Sequence, residues 1–62
     1  MKCKCIKDYR DDNVDFKANE VYDYISVPTS GRFPPVYKIY NGKIGQTSVT
    51  HTEFKTHFRR VA

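Results

Sequence analysis

The side chains able to do chemistry in this chain are few and fall into small sets. Cys3 and Cys5 lie two apart near the start, and His51 and His57 lie near the end. Four such ligands can hold zinc, but structural zinc sites space their paired cysteines by two to four intervening residues, and here there is one. A Cys–His pair can also make a nucleophile and its base, provided the fold brings them together. Asp11, Asn13 and Asp15 have the spacing that opens a calcium loop. Such a loop needs Gly at its sixth position and Glu at its twelfth, where this chain has Phe16 and Tyr22. The expectation is a protein with no metal, no cofactor and no enzymatic activity. Its two thiols are free and pack as small apolar groups on one strand face. A disulfide between residues two apart on a strand would be strained.

Charge supplies the next candidates. Lys2, Lys4 and Lys7 give residues 1–7 a charge of +3, and six acids against Arg10 and Lys17 give residues 8–23 a charge of −4. Six Lys or Arg against Glu53 give residues 24–62 a charge of +5, for a net +4. An acidic segment thus sits between two basic ones. Lys2 and Lys4 share a strand face, and Lys55, Arg59 and Arg60 lie close to the C-terminus. With Tyr22, Tyr24, Tyr37 and Tyr40 available for stacking, this is the footprint of a nucleic-acid-binding surface.

The elements that position these residues read as strands. Sixty-two residues make one domain with a thin core. Aromatics are 15% of the chain, five Tyr and four Phe, which suits a small β core. No apolar run reaches transmembrane length, and Met1-Lys2-Cys3-Lys4-Cys5 is not a signal peptide, so a cytoplasmic protein is expected. The first strand spans residues 2–7. Residues 8–17 read as a long polar loop outside the core, turning at Asp11-Asp12-Asn13. A second strand spans 20–27. Pro28-Thr29-Ser30-Gly31 ends it, and Pro34-Pro35 keeps the chain extended before the next.

Asn41-Gly42 between two β runs predicts a two-residue hairpin joining 36–40 to 43–49. That register pairs Tyr40 with Lys43, Ile39 with Ile44 and Tyr37 with Gln46, puts Ile39 and Ile44 on the core face, and sets Gly45 opposite Lys38 as a bend. Thr50 and Glu53 form a capping box, with Val49 and Phe54 as its hydrophobic staple. A short helix over about 51–57 follows, on which Phe54, Phe58 and Val61 share one face. A last strand near 58–62 closes a barrel.

This order resembles a Src-homology-3 (SH3) domain over nearly the whole chain. The family opens with an Ala-Leu-Tyr-Asp-Tyr motif, in the place of Cys5-Ile6-Lys7-Asp8-Tyr9. An acidic loop and a Phe-x-x-Gly-Asp-x-Ile segment follow in the family, where this chain has Phe16-Lys17-Ala18-Asn19-Glu20-Val21. Gly42-Lys43-Ile44-Gly45 matches the distal hairpin. The resemblance implies a mainly β, five-stranded SH3-like barrel with one short helix.

It does not carry over the family's grip on proline-rich peptides, because the groove aromatics are altered. Lys7 replaces the first motif Tyr, the exposed Trp is absent in favour of Val36-Tyr37, and the Pro after the distal hairpin gives way to the Ser48 region. The length and the pattern of Val21-Tyr22, Phe54 and Phe58 also resemble very short barrel proteins of phages and prophages of Gram-positive bacteria. The expected function is a non-enzymatic module, such as a phage or prophage accessory protein, that recognises a protein partner. Tyr9, Asp11, Asp12, Asp15, Arg32, Phe33 and Tyr37 would form its contact face, between the acidic loop and the 28–35 loop. The alternative is a nucleic-acid-binding barrel using Lys2, Lys4, Lys55, Arg59 and Arg60. A monomer and a homodimer are both compatible with the edge strands of such a sheet.

Overall fold

A computed structural model describes residues 1–11, 14–42 and 45–61. Its elements are β1 (Lys2–Cys5), β2 (Tyr9–Arg10), β3 (Asp15–Phe16), β4 (Val21–Val27), β5 (Val36–Asn41), β6 (Gly45–Val49), α1 (His51–His57) and β7 (Phe58–Val61). Five strands make one antiparallel sheet in the order β6-β5-β4-β1-β7, and β2 and β3 pair as a separate hairpin. This is the mainly β architecture with one short helix that the sequence predicts. The expected barrel is not closed, because β6 and β7 end as the two edges of the sheet and do not pair among the described residues. The helix occupies the chain between them. No helix is long and apolar enough to cross a membrane among the described residues.

Strand alternation sets the core. Cys3 and Cys5 point inward and are fully buried, while Lys2 and Lys4 point out. Phe58 sits opposite Cys5 on β7 and is buried with it. The aromatic side chains form a connected stack through the core. Phe54 of α1 lies 4.2 Å from Tyr37 and 5.8 Å from Phe58, both stacked. Phe58 meets Phe16 edge-on at 5.6 Å, and Phe16 meets Tyr22 at 4.8 Å. Such pairs add about 0.5–1.5 kcal/mol each beyond the burial of their area. Val61, expected on the same face as Phe54 and Phe58, is 41% exposed, because the helix stops at His57 and strand alternation takes over.

The capping box forms as expected. The Thr50 hydroxyl accepts from the Glu53 backbone N–H at 3.2 Å, and the Glu53 carboxylate accepts from the Thr50 N–H at 3.1 Å.

Two expectations are corrected. The segment read as a polar loop outside the core carries the β2–β3 hairpin, and it buries Val14 and Phe16 almost completely. Asp8, Asp11 and Asp15 face solvent while these two apolar ones reach inward. The hairpin between β5 and β6 also has a different register. Asn41 pairs with Gly45, Tyr40 with Gln46, Ile39 with Thr47 and Tyr37 with Val49. The shift from the expected pairing is odd, so it moves the inward face from residues 44 and 46 to Thr47 and Val49. Val49 rather than Gln46 then lies beside the buried Tyr37. Gly45 faces Asn41, not Lys38, and has φ +156°; a Cβ there would come within 3.0 Å of Val14 Cγ2, so this close approach needs glycine. Lys43, Ile44 and the Asp12-Asn13 part of the expected turn lie outside the described residues.

Candidate functional site

The expected protein-contact face is not assembled. Asn41 donates its side-chain amide to the Asp15 carbonyl at 2.6 Å, and Thr47 donates its hydroxyl to the Asp11 carboxylate. These bonds hold the acidic hairpin over the end of the sheet where β5 and β6 meet. The 28–35 loop leaves the other end of β5, beyond the Val27–Val36 pair, about 17 Å away along the strand. Arg32 and Phe33 therefore sit apart from Asp11 and Asp15. Tyr37 is 1% exposed and belongs to the core. Tyr9 is half-buried, with its ring edge-on to His57 at 4.9 Å. Burial and the nearby Glu53 and Asp11 carboxylates push its hydroxyl pKa up. Asp12 lies outside the described residues.

The acids that suggested a calcium loop are committed elsewhere. Asp11 takes the Thr47 hydroxyl, and Asp15 forms an ion pair with Arg10 at 2.9 Å. Among the described residues no three His, Cys, Asp or Glu side chains converge on a common point. Cys3 and Cys5 are free thiols inside the core. Burial, then the neighbouring Cys5 and Asp23, raises the Cys3 pKa to about 11. Burial also raises that of Cys5, whose thiol donates to the Lys7 carbonyl at 3.1 Å. His51 and His57 are on opposite ends of α1, and among the described residues neither ring is hydrogen-bonded to a thiol.

The basic residues fare differently, for β1 and β7 pair along their whole length and bring Lys2, Lys4, Arg59 and Arg60 to one margin of the sheet, and Lys55 of α1 lines the adjoining groove. Lys4 stands directly across from Arg59, Cys3 from Arg60 and Lys2 from Val61. Alternation then divides them between two faces. Lys2, Lys4 and Arg59 lie on the outer face, which β4 continues with Val21, Asp23 and Ile25 before Lys38 of β5. Arg60 lies on the inner side, toward α1. There a groove of about 500 Å³ opens, with Ile6, Tyr37, Phe54 and Phe58 as its floor and His51, Lys55, Arg59 and Arg60 as its walls. Among the described residues no acid lines it.

At its base the Arg60 guanidinium donates to the Tyr37 hydroxyl at 3.3 Å, and that hydroxyl lies 3.1 Å from His51 Nδ1. The buried tyrosine thus fixes both groove walls. The Tyr37 hydroxyl also raises the Arg60 pKa, so the cation is held charged. Lys2 alone of the five forms an ion pair, with Asp23 at 2.6 Å; Lys4, Lys55, Arg59 and Arg60 have none among the described residues.

A larger cleft of about 880 Å³ lies between the β2–β3 hairpin and the sheet, but its charges neutralise one another, Arg10 with Asp15 and Lys2 with Asp23. It has no dominant sign with which to attract a charged ligand. Sequence reading missed His51 and Ile6 as parts of the basic groove. Part of the signal was present in His51 and Lys55, which stand four residues apart and so line one side of α1. No protein-family model, curated protein or solved structure matches this chain.

Proposed function

We propose that this chain is a non-enzymatic binding module of the SH3-like class whose β1–β7 margin takes up the phosphate backbone of a nucleic acid. The class is supported by the element order, with a hairpin after the first strand and one short helix before the last. One observation carries the ligand: four cations without a carboxylate partner among the described residues, Lys4, Lys55, Arg59 and Arg60, converge on one margin and its acid-free groove. Like charges facing each other across strands, as Lys4 and Arg59 do, are unfavourable in the free protein. A bound polyanion relieves that repulsion and releases its own counterions. The groove's aromatic rings are buried, so the contacts are to phosphate and sugar, and base sequence is not read there.

The test is an amide NMR titration with short single- and double-stranded DNA. Shifts clustering on β1, α1 and β7 are expected. Their absence, or shifts that persist unchanged in high salt, would overturn this reading.

A second reading follows from the 28–35 loop. Phe33 is 76% exposed, and the Thr29 hydroxyl braces the loop beneath it through the Phe33 and Pro34 carbonyls at 2.8 and 3.1 Å. An aromatic held out on a braced loop is an anchor for a protein partner. Loss of a captured partner with Phe33→Ala, from a protein of unchanged stability, supports this reading; capture unaffected by Phe33→Ala rejects it.

A further inference from the structure

The two edges of the sheet differ in a way that singles out one of them for assembly. Each edge strand presents a row of backbone N–H and C=O groups with no strand beside them. The β7 edge carries Arg59 and Arg60, with Lys4 on the neighbouring strand. Such charges are a standard means of keeping an edge from pairing, and two copies of β7 laid together would oppose arginine to arginine. The β6 edge is Gly-Gln-Thr-Ser-Val, five residues with no charge and no proline. Among the described residues, no backbone hydrogen bond links it to anything except β5. Gln46 and Ser48 are exposed beside it, and Thr47 and Val49 are buried on the inner side.

We propose that β6 pairs antiparallel with β6 of a second copy of this chain, joining two sheets across a twofold axis at Thr47. Only that register pairs all five residues. It places Gly45 against Val49 of the second copy and Gln46 against its Ser48, so every inward residue meets an inward one. The outer face then carries two Gln–Ser pairs, which hydrogen-bond without a charge penalty. A second copy fits better than an acidic or basic peptide because the five β6 side chains carry no charge to select either; the nearest carboxylate, Asp11, is held on the inner side by the Thr47 hydroxyl. The edge's nearest outward charge, Lys38 beside Ser48, falls next to Gln46 of the second copy and not next to the second Lys38.

The experiment measures association by sedimentation velocity over about 10 µM to 1 mM, a range set by the micromolar-to-millimolar affinities of modest interfaces. Wild type is expected to pass from monomer to dimer. Gln46→Lys with Ser48→Lys places lysines opposite each other across the axis and is expected to weaken association about tenfold or more. Gln46→Glu with Ser48→Glu does the same with carboxylates. Mixing the two variants restores a dimer, since each lysine then meets a glutamate. That rescue separates loss of the interface from loss of the fold, which the melting temperature of each variant also reports. The inference is overturned if wild type stays monomeric to the top of the range. It is overturned equally if the lysine variant associates like wild type, or if the mixture forms no heterodimer while both variants are folded.

Discussion

The ion pair between Lys2 and Asp23 makes the salt dependence of nucleic-acid binding a sharp test of the structure. Five basic residues stand at the β1–β7 margin and its adjoining groove, but Lys2 is already neutralised by Asp23 at 2.6 Å, and the same contact holds the Asp23 pKa below its usual value. Four cations remain to displace counterions. A single strand contributes a slope of about −0.7 per neutralised phosphate in a plot of log affinity against log salt, so four contacts give about −2.8. Between about 50 and 200 mM salt the affinity should then fall about 50-fold. Arg59→Ala or Lys55→Ala should each bring the slope to about −2.1, and Lys2→Ala should leave it near −2.8. Asp23→Asn frees Lys2 and should steepen it to about −3.5. Fluorescence anisotropy with a labelled oligonucleotide of about ten nucleotides, repeated at four or five salt concentrations, measures all of these. The reasoning is refuted if Lys2→Ala flattens the slope as much as Arg59→Ala does. It is also refuted if Asp23→Asn leaves the slope where it was.

Two further outcomes are expected from the core. Burial raises the Cys3 pKa from 9.0 to about 11, so the folded state holds this proton more tightly than the unfolded chain. The stability it contributes is complete below about pH 9 and is lost as the pH climbs through 11, by at most roughly 3 kcal/mol; urea titrations across that range should show the decline, and Cys3→Ala should reduce it. Tyr37→Phe removes a buried hydroxyl that accepts from Arg60 and meets His51 Nδ1, and it should cost about 1 kcal/mol by denaturant midpoint. An unchanged midpoint would mean that the hydroxyl does not brace the groove.

What the sequence revealed followed from how local each signal is. Thr50 and Glu53 satisfy each other within one helical turn, so the capping box could be read without knowing the fold. The alternation of Cys3 and Cys5 with Lys2 and Lys4 was equally local and fixed which face of β1 is buried. Val14 and Phe16 were hidden because their neighbours are acidic. Their burial depends on a tertiary contact, the packing of the β2–β3 hairpin against Gly45 and Phe58. Asn41-Gly42 signalled a turn but not its length, and the register was settled by which residues could line the core beside Tyr37. The basic residues were found by type. Their division between two faces was not drawn, although adjacent residues of a strand, as Arg59 and Arg60 are, must point to opposite sides.

The charged edge and the uncharged edge lie at opposite margins of one sheet, about 19 Å apart along it by strand spacing, so binding at β7 leaves β6 free to pair. A dimer formed through β6 would carry two basic margins facing away from each other. An oligonucleotide of about ten nucleotides reaches only one of them, given the short site sizes of small single-strand-binding folds. The salt slope measured with it should therefore be the same for wild type and for the glutamate variant of β6. A strand long enough to reach both margins engages them together, and its second contact is intramolecular. Wild type should then bind a long strand at least tenfold more tightly than a short one, after correction for the number of sites, and the glutamate variant should lose that advantage. Equal affinities for long and short strands in wild type would show that the two margins do not act together.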